Sequence, residues 1–194
     1  MHPRIKYYIL QHLRIYYMYT KQNIRMIRRI FFLLCISFSL TCFAQSIEKR
    51  YSSYISEKGT INFFRPKKLK NNKNLGEFLF DMTYVSNTDS VTINCSINIT
   101  SGEMVSRAEL RNGEKRKPGE NVYAIYRNVT KKGYIIRLSA RYTLKDIQEC
   151  FSNDTPLVFF FQLKDGTTCS ASYTSSQWKK DSSQVTRILS SLNY

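Results

Sequence analysis

The residues able to do acid–base or nucleophilic work are few, and their placement restricts the chemistry. His2 and His12 are the only imidazoles in the 194-residue chain. If the first 44 residues are removed as a leader, the remaining domain has none. Without imidazole there is no Ser-His-Asp triad, no Cys-His nucleophile pair and no His-ligated zinc or copper. Three cysteines stay behind, Cys95, Cys150 and Cys169, at spacings that match no metal motif. In an oxidising compartment one disulfide is expected, with Cys150 to Cys169 the preferred pair, closing a loop worth about 3 kcal/mol by chain entropy. Cys95 falls in the apolar phase of a strand and reads as core filling.

Carboxylate chemistry survives the loss of histidine, because glycoside hydrolysis needs only two acids at the right separation. The chain offers 14 acids. Most sit in turn-like or exposed positions, as Asp89, Glu103, Glu114, Glu120, Asp154 and Asp165 do. Asp81 alone lies mid-strand among large apolar neighbours, where it reads as a polar residue on the solvent face, opposite Phe80 and Met82. An enzyme is therefore not expected, nor a cofactor or metal. A carboxylate-based glycan hydrolase is the form that an enzyme would take.

Recognition groups are densest in Arg65-Pro66-Lys67-Lys68-Leu69-Lys70-Asn71-Asn72-Lys73-Asn74, which reads as a basic loop after Phe63 and Phe64. Arg65, Lys67, Lys68, Lys70 and Lys73 are the candidate binding residues. With Glu114-Lys115-Arg116-Lys117 and Lys131-Lys132 elsewhere, they suit phosphate, a sulfated glycan or an anionic envelope surface. The competing interpretation is a solvated loop between two strands. Nucleic acid is not expected, since binding it calls for exposed stacking aromatics at regular spacing.

The charge is unevenly spread. The whole chain is +16, but residues 1–44 hold seven bases and no acid, leaving 23 bases and 14 acids, a net +9, in the rest. Residues 26–44 have the layout of a secretory signal, with Arg28 and Arg29 ahead of the apolar run Ile30 to Leu40 and the small-x-small triplet Cys42-Phe43-Ala44 before Gln45. Cleavage is expected after Ala44. A membrane anchor is the alternative, but the apolar stretch ends at Ala44, short of the about 17 to 25 residues that a spanning helix needs. Lipidation fits poorly: Ser39 and Thr41 precede Cys42, and Phe32 and Leu34 precede Cys35. Contact with a membrane is thus expected only through an uncleaved or lipidated leader. Residues 1–25 precede a signal that has its own Met26 and read as mistranslated upstream sequence. The expected organisation is therefore an extension over 1–25, a signal peptide over 26–44 and one mature domain over 45–194.

The elements that must position these groups are mostly strands. Val91, Ile93, Cys95, Ile97 and Ile99 alternate with polar residues, as do Phe78, Phe80, Met82 and Tyr84 before them, with Ser86 to Ser90 as the turn. Similar runs cover Thr60 to Phe64, Met104 to Leu110, Val122 to Asn128, Tyr134 to Tyr142, Leu157 to Leu163 and Thr168 to Tyr173. Asp165-Gly166 predicts a two-residue turn that pairs Phe161 with Ser170. Helices are predicted after Thr143, with Leu144, Ile147 and Phe151 on one face, and from about Ser176, with Trp178, Val185, Ile188, Leu189 and Leu192. A third covers Ser46 to Glu57 and stops at Gly59. The fold expected is mainly β, a single antiparallel β-sandwich of about eight strands with a C-terminal helix packed on it. A closed β-barrel carrying an apolar ligand is the alternative. The expected role is that of a periplasmic or secreted binding or envelope-associated module.

Overall fold

A computed structural model describes residues 50–192, together with Arg28 and Phe31. The chain separates into two compact units, Met1–Glu48 and Lys49–Tyr194. Apart from Arg28 and Phe31, the expected extension and leader lie outside the described residues, as do Ser46 to Lys49 of the third predicted helix.

The strands are β1 (Tyr51–Ser56), β2 (Gly59–Leu69), β3 (Asn71–Lys73), β4 (Phe78–Val85), β5 (Ser90–Ile99), β6 (Val105–Asn112), β7 (Lys115–Pro118), β8 (Glu120–Thr130), β9 (Gly133–Thr143), β10 (Val158–Leu163) and β11 (Thr168–Ser172). Two helices, α1 (Leu144–Phe151) and α2 (Ser175–Ser191), complete the domain. The strands form two antiparallel sheets, one of six in the order β1-β2-β4-β5-β9-β8 and one of five in the order β3-β11-β10-β6-β7. The expected sandwich is therefore the fold.

Alternation drives the assembly. Along β5 the odd-numbered residues from Val91 to Ile99 are buried while the intervening polar ones are half-buried, as a strand with one covered face requires. Phe78 and Phe80 from the large sheet meet Phe159 and Phe161 from the small one, with Phe80 and Phe159 centroids 4.5 Å apart. The aromatic contacts run on through Tyr173 to Trp178 at 5.1 Å and from Trp178 to Phe151 at 5.4 Å, so both helices join the same core. Trp178 donates its Nε1–H to Asn153 O at 2.9 Å, which satisfies the one polar group of the indole. Thr174 caps α2 in a capping box with Gln177, and Thr143 caps α1 by accepting from Asp146 N at 3.0 Å.

Four expectations change. The barrel alternative fails because the sheets do not close on each other and aromatic side chains fill the space between them. Within the described residues, the helix predicted over Ser46 to Glu57 gives way to β1, paired with β2 from Tyr51 opposite Phe64 to Ser56 opposite Gly59. Tyr51, Tyr54 and Ile55 favour strands intrinsically, and the Tyr51 ring packs edge-on to Phe64 at 5.5 Å while its hydroxyl donates to Asn62 Oδ1. The turn after β10 holds three residues, Lys164 to Gly166, because Leu163 N–H bonds Thr167 O at 2.8 Å and Gly166 takes the left-handed position at φ 85°. Phe161 therefore pairs with Cys169, not Ser170. The basic stretch from Arg65 to Asn74 is mostly strand, not loop, since β2 runs on to Leu69 and β3 covers Asn71–Lys73.

Candidate functional site

The predicted binding residues are dispersed by the path of the chain. β2 carries an irregularity between Phe64 and Lys67, at Arg65 and Pro66, where the missing N–H of proline costs the ladder nothing. The chain then leaves the large sheet at Leu69 and enters the small one as β3. Lys67 Nζ lies 2.7 Å from Asp181 Oδ2, whose other oxygen is 2.6 Å from Arg50, so this lysine fastens β2 to α2. Lys68 pairs with Glu77 at 2.6 Å. Arg65 and Lys70 are exposed, and Lys73 emerges on the outer face of the small sheet, opposite Ser170. The five bases do not form one site.

A different basic cluster surrounds the outer end of that sheet. On β6 the inward residues are Ala108 and Leu110, so Arg107, Glu109 and Arg111 share the outer face. The side chain of Glu109 is 1 % exposed and sits between Arg107 at 2.5 Å and Arg111 at 2.7 Å. The Arg111 guanidinium also lies over the Phe160 ring, 3.3 Å from its centroid. Arg116 on β7 stands directly opposite Arg111, and Lys73 belongs to the cross-strand row that runs through Ser170, Phe160 and Glu109. Like charges directly opposite in a sheet repel. The arrangement gathers three arginines around one carboxylate on a single outer face. The signal for it was present in the sequence as Arg107-x-Glu109-x-Arg111, three charges at period two, a spacing that puts them on one strand face.

Among the described residues, the acids with buried side chains are all matched by cations. Asp81 is a correction: it occupies the face opposite Phe80 and Met82 as expected, but it is only 2 % exposed. Arg137 of β9 and Asn94 of β5 cover and bond it, the amide at 2.8 Å. Asp181 has Arg50 and Lys67, and Glu109 has Arg107 and Arg111. Among the described residues, no group of three or more His, Cys, Asp or Glu is placed to hold a metal ion.

Cys95, Cys150 and Cys169 are free and buried, which corrects the expected bridge. Cys169 is in register with Phe161 and hence Ala108, whereas the Cys150 carbonyl accepts from Asn112, four residues further along β6. That offset is about 13 Å along the strand and about 10 Å across two strand spacings. A disulfide needs Cα atoms within about 7 Å. Burial pushes the Cys150 and Cys169 thiols up to about 11.

At one open end of the sandwich lies a cleft of about 540 Å³. The Asn74 to Gly76 crossover, the end of β5 with Ser101, the Lys132 turn and the β10–β11 connection converge on it, with Cys169 also in its lining. No sequence reading pointed there, because its walls come from four separate segments.

No protein-family model, no curated protein and no solved structure matches the chain.

Proposed function

We propose that this domain is an exported binding module that takes an anionic glycan on the outer face of its five-stranded sheet. The observation that carries the reading is the cross-strand pairing of Arg111 with Arg116 beside Arg107, on a face where Glu109 holds Arg107 and Arg111 and the Phe160 ring lies under Arg111. Arginines already fixed by neighbours lose little freedom on binding, and their planar forks suit sulfate and carboxylate bidentately. The locked state of Asp81, Glu109 and Asp181 supports binding rather than carboxylate catalysis. Export rests on residues 26–44, and it predicts that mature protein begins at Gln45 on N-terminal sequencing.

The test is the salt concentration that elutes the domain from heparin. Arg107→Gln combined with Arg116→Gln is expected to lower it well below that of a control with the same charge loss elsewhere, Lys131→Gln with Lys145→Gln. Equal elution of the two variants would overturn the assignment of the face. Lys67→Gln should weaken folding more than retention, since Lys67 serves Asp181.

A further inference from the structure

We propose that the cleft at the open end of the sandwich is a second binding site, independent of the basic face, and that it seats a single acidic sugar: one hydroxylated ring with one carboxylate. Its volume of about 540 Å³ falls within the about 300–1,000 Å³ typical of small-molecule sites. Segments of both sheets meet there, the arrangement in which loops held by a rigid scaffold carry recognition.

The lining specifies the ligand. Leu75, Ile99 and Leu163 supply an apolar surface for the C–H face of a sugar ring. Thr100 and Thr167 are hydroxyl-bearing residues of the lining, and hydroxyls both donate and accept and so match ring hydroxyls that do the same. Lys132 is the one charged residue among the lining residues, while the Asp165 carboxylate beside the cleft already accepts from Thr167 N–H at 2.8 Å. One cation in an otherwise neutral cleft favours one negative charge on the ligand.

The walls are held in place before any ligand arrives. Gly133 follows Lys132 at φ 126°, and a Cβ there would stand 2.3 Å from Ile99 O, so the Lys132 turn rests directly on the end of β5. Lys132 N–H donates to Thr130 Oγ1 at 3.3 Å. On the opposite wall, Gly76 N–H donates to Asn98 O at 2.8 Å, and Asn74, in the left-handed region at φ 57°, donates its side-chain amide to Thr168 O at 3.0 Å. A preformed cleft needs less ordering on binding.

The experiment titrates isotopically labelled domain with D-glucuronate, D-glucose and acetate, reading amide shifts by NMR. Glucuronate should saturate, with shifts confined to residues around Asn98, Lys132 and Thr167. Glucose should bind about tenfold more weakly, and Lys132→Gln should bring glucuronate down to the glucose level. Thr167→Trp, which fills the cleft from an exposed turn, should abolish both. The proposal is overturned if glucuronate does not saturate by about 20 mM, or if its shifts survive Thr167→Trp. Arg107→Gln with Arg116→Gln should leave glucuronate binding unchanged, so this site and the basic face stand or fall separately.

Discussion

Asp81 and Arg137 form an ion pair across β5 on the outer face of the six-stranded sheet, joining β4 to β9 without either strand touching the other. Asn94, on the strand between them, bonds the same carboxylate. Removing the cation leaves a buried charge with one neutral partner. Arg137→Ala is therefore expected to cost about 2–3 kcal/mol, read as a lower urea midpoint. The double change Asp81→Leu with Arg137→Leu should recover most of it, because an apolar pair carries no desolvation penalty. A loss below about 0.5 kcal/mol for the single change, the size of an exposed pair, would show that the contact is not stabilising.

Two glycines separate conformational from steric strain. Gly166 is at φ 85° with nothing within 4 Å of where a Cβ would stand, whereas a Cβ on Gly133 would collide with Ile99 O. Gly166→Ala should cost about 1–2 kcal/mol, the left-handed penalty alone. Gly133→Ala should cost clearly more, since backbone must move as well. Equal losses in denaturant would mean that the β8–β9 turn does not rest on β5 as described.

Acid sensitivity should trace to Lys117 on β7, which holds Asp146 at 2.6 Å and Glu149 at 2.8 Å on α1. Partial burial opposes ionisation of Asp146, but hydrogen bonds from Lys117 and Thr143 outweigh it and hold the carboxyl below its ordinary value. The hydrogen bond from Lys117 holds Glu149 below its own. The unfolded chain therefore binds more protons in acid. The stabilisation is complete above the ordinary carboxylate pKa of about 4 and is lost as pH falls through the lower folded values. Between about pH 6 and about pH 3, Lys117→Met should lose less Tm than the parent. An identical loss would place the acid sensitivity elsewhere.

The thiols provide a chemical count. With Cys150 and Cys169 raised to about 11 by burial, and Cys95 raised further in the same direction, little thiolate exists at neutral pH and native protein should react slowly with a disulfide reagent. After denaturation without reductant, three thiols should react if the chain is cut after Ala44, and five if it is whole. A cut chain showing one thiol would mean that a disulfide forms after all.

The strands of the core were legible because alternation is a local property. Val91 to Ile99 and Phe78 to Tyr84 announce a covered face within ten residues, and the apolar stripe from Trp178 to Leu189 announces a packed helix in the same way. The turn at Asp165-Gly166 was visible too, but its length depended on where the ladder closed, and one residue moved Cys169 to the inner face. β1 could be read as either element, and only the neighbouring β2 resolved it.

Charge was where local reading ended. Alternation put Asp81 on the outer face correctly, yet an outer face is wet only if nothing covers it, and its cover comes from Arg137, 56 residues later. Lys67 pairs with Asp181, and the stretch read as one loop of five bases is two strands, β2 and β3, in different sheets. By itself the sequence determined which residues turn inward, because burial follows a period set by the backbone. Which charges meet was decided only by the tertiary structure, because ion pairs join residues far apart in the chain and no local period encodes them.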